Sequence, residues 1–363
     1  MQDIFIFDVI SLYKAFEIGI YYFQTLTTME QLMRSPYLSI GIALSFALAS
    51  LPSLTSAASI KIDRKLDFKG GITGGALFLQ NPGLGQRSLN TQLNDFLVDV
   101  STPDSSNSDV KVNIGLGAIN AQSVAPNSPS AQGTPITTGI QYGWFEYKIN
   151  KTSIAVGQIA TNVGYESTVS YQNKQISRSL LWSVQPIYYP GTRITTSVSG
   201  FEIYGELTNS GPQRQSAALG LSRKAGDLEY SVSYYDEKSG TDIIDVIVDM
   251  EIDDIKFGVN IDYIKLDVNS NDSYGIAAYA GFKVDRIEVP VRLEYAHDGT
   301  TGIYGGIDNV ITVTVTPTKW IDKMTYLRGE LAFASTKNKV FSDKDGNPKD
   351  AQLTIGAQLG VLF

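Results

Sequence analysis

The sequence predicts an all-β protein, a transmembrane up-and-down antiparallel β-barrel of about 16 strands. Three observations predict it. Apolar and polar residues alternate with a period of two in runs of about nine to thirteen residues. The gaps between runs are tight on one side and longer and polar on the other. The chain closes on such a run, "AQLTIGAQLGVLF", in which Ala351, Leu353, Ile355, Ala357, Leu359, Val361 and Phe363 share one face.

Composition narrows the function classes. The 20 Tyr, 15 Phe and 33 Gly beside a single His suit strands, turns and interfacial aromatics. A net charge of -8 without a basic cluster excludes nucleic acid as a partner. With no cysteine, disulfides, thiolate metal sites and cysteine nucleophiles are excluded together.

From Met33 the chain reads "MRSPYLSIGIALSFALASLPSLTSAAS". Arg34, the apolar stretch Leu38 to Leu51 and the small residues up to Ala58 have the order of a secretory signal over 33–58, with cleavage after Ala57 or Ala58. Residues 1–32 carry more acid than base, which does not suit a signal. They read as a start placed upstream of Met33 or Met29, or as a helical extension. Residues 59–363 form the barrel.

The expected strands follow in order. The first, 67–79, carries the glycines of "GGITGG", which relieve crowding where the wall curves. Strands 93–102 and 108–118 alternate through Phe96, Val98, Val100 and then Val110, Val112, Ile114, Leu116. Tight turns join 139–149 to 152–161, 189–199 to 201–208, and 214–223 to 227–236. The last of these sets Leu228, Tyr230, Val232 and Tyr234 against Asp227, Glu229, Ser231 and Ser233. Further tight turns join 242–251 to 254–264 and 272–284 to 286–296. Strands 306–316, 324–336 and 351–363 complete the set. The gaps 80–92, 119–138, 162–188, 265–271, 297–305 and 337–350 are long. A barrel with short periplasmic turns and long outer loops has this asymmetry, whereas a soluble β-sandwich has shorter strands and no reason for it.

The apolar set then faces lipid, with Tyr234, Tyr263, Tyr274 and Tyr295 at one girdle and Trp320 and Phe363 at the other. Bacterial outer-membrane barrels very often end on an aromatic that their assembly machinery reads, and Phe363 is the candidate signal. The opposite set is charged. Its pore-lining candidates are Asp95, Asp99, Lys111, Arg193, Glu202 and Glu206 in the first half. Asp245, Asp249, Lys256, Asp262, Glu288, Arg292, Glu294, Arg328 and Glu330 follow in the second. Drying so many ions would cost several kcal/mol each, so the interior reads as a water-filled lumen. Acids outnumber bases there, which gives a mild cation preference.

The stretch from Tyr147 to Asn209 resembles the OmpL-like, putative β-barrel porin-2 family of Gram-negative outer-membrane proteins. The residues that carry the likeness are "VGQIATNVGYES" (Gly157, Gly164, Tyr165, Glu166) and "SRSLLW" (Ser177 to Trp182). "QPIYYPGTRIT" (Gln185, Pro186, Gly191, Arg193) and the strand "FEIYGELTNS" complete it. In such proteins the stretch reads as strand, long loop, strand, hairpin. The resemblance implies a porin-like barrel passing small hydrophilic solutes or ions by passive diffusion, in contact with outer-membrane lipid and lipopolysaccharide. By analogy with sixteen-stranded porins, a homotrimer is expected. The segment 162–188 is the third outer loop. Third loops of such porins commonly fold into the pore, making Tyr165, Glu166, Arg178 and Gln185 constriction candidates. The alternative is a closed structural or surface-binding barrel, which would need surplus inward bulk; the strands show little beyond Trp144 and scattered tyrosines.

An enzyme is not expected. His297 stands in "AHDGTTG" without a second His or a G-x-S-x-G element. "DKDGNPKD" lacks the glycine placement and closing Glu of a calcium loop. No cofactor is implied.

Overall fold

A computed structural model describes residues 66–363 apart from 84, 86–87, 104–108, 120–136, 212–213, 239, 254, 267–271, 300–303 and 305–308. The signal expected over 33–58, its cleavage site and the extension 1–32 lie outside the described residues.

Period-two alternation becomes a meander of strands, each hydrogen-bonded to the next. They are β1 (Asp67–Leu79), β2 (Leu89–Ser101), β3 (Val110–Ile119), β4 (Thr137–Ile149), β5 (Thr152–Ala160) and β6 (Tyr188–Val198). Then come β7 (Phe201–Gly211), β8 (Arg214–Ala225), β9 (Leu228–Glu237), β10 (Thr241–Ile252), β11 (Ile255–Leu266), β12 (Ser273–Val284) and β13 (Ile287–His297). Strand β14 runs Val310–Val315 and resumes as Thr318–Trp320, followed by β15 (Thr325–Thr336) and β16 (Ala351–Leu362). The break in β14 falls at Pro317, which has no N–H to give the ladder. Both pieces pair with β13 and β15, so they are one wall strand.

The wall is closed. β1 pairs with β2 and also with β16, in antiparallel register from Gly71 opposite Leu362 to Leu79 opposite Thr354. Closure removes the unpaired edge that a spanning sheet cannot leave in hydrocarbon. At the seam, Phe363 and Gly70 exchange backbone hydrogen bonds of 2.9 and 3.0 Å. The Phe363 ring occupies the space that a Cβ on Gly70 would need.

Uninterrupted strands are 9 to 13 residues long, enough for a tilted crossing of the bilayer. Their outward residues form an apolar belt that includes Ile72, Phe96, Ile114, Phe257, Ile261, Leu293, Phe333 and Leu359, all exposed. Tyr263 and Tyr274 face each other across β11 and β12 at one rim, and Trp320 and Phe363 are exposed at the other.

The tight turns rest on left-handed residues: Asn150, Ser199, Asp253 and Asp285 have φ of 53 to 56°. Asn, Asp and Gly tolerate this conformation, and it matches strand twist. Loop length is less regular than expected. β7 extends to Gly211 and β8 begins at Arg214, leaving a tight connection on the long-loop side. β2 starts at Leu89, four residues before the expected start, and β14 at Val310. His297 closes β13 beside the Tyr274 ring, at 5.1 Å, and is not in a loop. "DKDGNPKD" sits in the last outer connection, where its Pro348–Lys349 pairs with Phe341–Ser342.

Candidate functional site

The connection between β5 and β6 turns into the barrel. The Asn162 carbonyl accepts the Ser233 hydroxyl on β9, and the Tyr165 hydroxyl donates to Asp249 on β10 at 2.8 Å. The loop then crosses to β1 and β2, where the Ser170 N–H donates to Asp95 at 2.6 Å. It returns past β15, β13 and β12, and Gln185 reaches Asp262 on β11 at 2.8 Å before the chain enters β6. Short 3-10 turns at Ser170–Gln172 and Leu181–Ser183 give it shape.

Wall carboxylates hold this loop by its backbone. Glu330 accepts the Ile176 N–H at 2.6 Å and the Ser177 N–H at 3.1 Å. Glu294 accepts the Leu180 N–H at 2.6 Å. Such charge-assisted bonds contribute roughly 1.5–3 kcal/mol each, and they satisfy amides that a loop without ladder partners would bury unpaired. Arginines serve the carbonyls. Arg292 donates to the Ser177 and Arg178 carbonyls and pairs with Glu166 at 2.7 Å and Glu294 at 2.8 Å; Arg292 and Glu294 are out of contact with water and the Glu166 side chain is nearly so. Arg328 donates to the Ser170 carbonyl. Arg178, from the loop itself, donates to the Thr168 carbonyl at 2.6 Å.

Inward glycines make the seats. Tyr171 lies against Gly71, Tyr165 against Gly258, Leu181 against Gly275 and Ile176 near Gly356; a Cβ at any of the first three would crowd the loop side chain above it. Leu180, Leu181 and Val163 join inward residues such as Ile243, Ile264, Ala277 and Ala296 in one buried apolar cluster.

The charged residues expected on the interior face do point inward, but they divide into two groups. Asp95, Glu206, Asp245, Asp262, Arg292, Glu294, Arg328 and Glu330 are buried. Glu206 is bonded to Arg193 at 2.6 Å, and the loop covers the other seven. The expectation of a wetted interior surface does not describe these eight, because polar groups of the loop replace the water at seven of them and Arg193 replaces it at Glu206. Among the loop candidates, Arg178 and Gln185 are buried too, and Glu166 is taken up by Arg292. Tyr165 stacks on Tyr279 with ring centroids 4.3 Å apart.

Asp99, Lys111, Glu202, Asp249, Lys256 and Glu288 keep solvent contact. At the tight-turn end of the barrel, Asp249, Lys256 and Glu288 help line a cavity of about 590 Å³ roofed by Tyr165, Asn173 and Gln175. Its charges are largely matched: Lys256 lies 3.3 Å from Glu251, and Lys174 lies 3.5 Å from Glu288. Sequence reading did not single out Thr73, Asn260, Gln358 or the seat glycines Gly258, Gly275 and Gly356, and it took Gly71, within "GGITGG", as relief where the wall curves and not as a seat. The legible signal was glycine at inward positions of β1, β11, β12 and β16, where most other inward side chains are polar or bulky.

The family model described as putative beta-barrel porin-2, OmpL-like, matches residues 65–363. The chain belongs to this porin-2 family. Among curated proteins none matches. Solved structures with the same fold include an anion-selective porin from Comamonas acidovorans, at TM-score 0.57 and 12% identity, covering 82% of this chain and 99% of that one. The trimer form of OmpT from Vibrio cholerae aligns at TM-score 0.55 and 12% identity, covering 82% and 99%. The outer-membrane channel DcaP of Acinetobacter baumannii aligns at 0.55 and 13%, covering 82% and 97%. This porin-2 barrel is an outer-membrane protein of the porin architecture.

Proposed function

We propose that the protein is a narrow diffusion channel for small hydrophilic solutes and ions, with a mild cation preference and no reaction of its own. The observation that carries this reading is the solvated, charged cavity at the turn end, bounded on one side by the inward loop. Asp99, Lys111, Glu202, Asp249, Lys256 and Glu288 line the aqueous path. Tyr165, with Asn173 and Gln175, sets its narrowest part. Asp249 is the wetted acid there without a lysine in an ion pair among the described residues, so the preference is weak. The related porin from Comamonas acidovorans is anion-selective; at 12% identity its lumen charges need not be shared.

The same reading makes 33–58 a cleaved signal and Phe363 the residue that the barrel-assembly machinery reads. It surrounds the belt with outer-membrane lipid and lipopolysaccharide, and it makes the functional unit a homotrimer, as in the trimer form of OmpT.

One observation favours the closed alternative. The strands carry little inward bulk, but the loop supplies it through Val163, Val169, Ile176, Leu180 and Leu181, all buried. Planar-bilayer recording in asymmetric salt separates the two. The channel reading expects small discrete steps with a reversal potential favouring potassium; a folded barrel that stays silent supports the plug.

A further inference from the structure

Asp245 on β10 and Asp262 on β11 are direct cross-strand partners. Both point inward and both are 0% exposed. Two carboxylates so placed repel each other and lose their hydration. Yet no lysine, arginine or histidine pairs with either one among the described residues: the two carboxyls lie within hydrogen-bonding reach of each other, and their other partners are neutral. Asn260 donates Nδ2 to Asp245 at 2.5 Å and to Asp262 at 3.4 Å. Gln185, from the loop, donates Nε2 to Asp262 at 2.8 Å and to the Asn260 side-chain oxygen at 2.9 Å. The Gly164 N–H reaches Asp245 from the other limb of the loop.

Two oxygens are left over. Among the described residues, Asp245 Oδ1 is buried without a hydrogen-bond partner, and so is Oη of Tyr304, a wholly buried phenol. That phenol oxygen lies over Gly275, the residue opposite Asp262 on β12. Neutral amides orient two carboxylates but do not balance their charge, and a buried phenol is not left unpaired without cost.

We propose that this pocket of oxygens is a binding site for a hard divalent cation of the calcium type. Two carboxylates match a double positive charge. The side-chain oxygen of Asn260 and, with its amide turned over, that of Gln185 supply neutral donors, and Tyr304 adds a fifth oxygen. An all-oxygen set of mixed geometry suits calcium, whereas magnesium keeps several waters that a dry site has no room for. No group of three acidic or imidazole side chains is gathered among the described residues, so the ion rests on two acids and neutral oxygens. Since Gly164 and Gln185 lie at opposite ends of the loop, the ion ties both limbs to the wall. This holds whether or not the barrel conducts.

Terbium luminescence tests it on the whole refolded barrel after chelation. Excitation of tyrosine should sensitise one saturable class of bound Tb3+, displaced by Ca2+, with H2O and D2O lifetimes reporting about one bound water or none. Asp245→Asn and Asp262→Asn should each weaken Ca2+ competition by about tenfold or more, while Asp343→Asn in the exposed outer loop leaves it unchanged. Heat-modifiable electrophoretic mobility verifies that each variant is folded, and the wild-type lifetimes decide independently of the variants. Absent sensitised emission, emission only from multiply hydrated sites, or loss with Asp343→Asn overturns the proposal. The two aspartates would then share a proton instead.

Discussion

Glu330 holds Ile176 from 154 positions away in the chain: its carboxylate accepts the Ile176 N–H at 2.6 Å, deep inside a barrel whose outer face is apolar. The same oxygen accepts the Thr316 hydroxyl at 2.9 Å. The loop is thus fastened by an acid that sequence alone would place in water.

Replacing that acid should loosen the loop. Glu330→Gln keeps the shape, loses the charge and turns half the acceptor into a donor facing two N–H groups. The expected cost is about 1–3 kcal/mol, read as a lower denaturation midpoint of the refolded barrel, with larger current fluctuations in single-channel records.

Arg292 should be more costly to remove. Arg292→Met leaves Glu166 and Glu294 as buried charges without a counterion, a loss of about 3–5 kcal/mol. Adding Glu166→Gln and Glu294→Gln in the same chain should recover most of it, because the uncompensated charges then go too. Urea unfolding of the single and triple variants checks this; a triple variant no better than the single contradicts the ion-pair account.

The seat glycines give a steric test. Gly258→Val should displace Tyr165, break its bond to Asp249 and destabilise the barrel by about 1–3 kcal/mol. Tyr165→Ala in the Gly258→Val background should restore part of the loss. If the two changes simply add, Tyr165 does not sit on Gly258.

How much of this was legible in the sequence depends on what each residue answers to. The strands from Leu228 to Tyr234 and from Ile287 to Tyr295 alternate because lipid and interior sort side chains with period two, and that sorting is local. Strand ends moved where hydrogen bonding outlasts the pattern, as in β7, which runs to Gly211, or stops it, as at Pro317 in β14. The inward direction of Asp95, Asp262 and Glu294 was legible for the same local reason. Their dryness was not, since it depends on Ser170, Gln185 and Leu180 arriving from far along the chain, and no periodicity records that.

Acid should act on the last outer loop before it acts on the wall. The Asn347 side chain and backbone, and then the Asp345 N–H, hold the Asp343 carboxyl down to about 2. A depressed folded value contributes stability that is present above the ordinary carboxylate range and lost as pH falls toward 2. Amide exchange in the Phe341–Lys349 segment should therefore accelerate between about pH 4 and pH 2, and Asp343→Asn should remove that dependence.

The position of the loop tip can be fixed covalently. The Thr73 and Ser170 hydroxyl oxygens are 3.0 Å apart, and the chain has no cysteine of its own. Thr73→Cys with Ser170→Cys should form a disulfide on mild oxidation, leaving no titratable thiol after denaturation. Two free thiols would place the loop elsewhere.

The central claim is a conducting barrel narrowed by its own third loop, and single-channel recording of the purified wild-type protein in asymmetric KCl tests it most directly. Small, discrete conductance steps with a weakly potassium-favouring reversal potential are expected. A barrel that is folded by its electrophoretic mobility yet passes no current, or one whose reversal potential favours chloride, would contradict it.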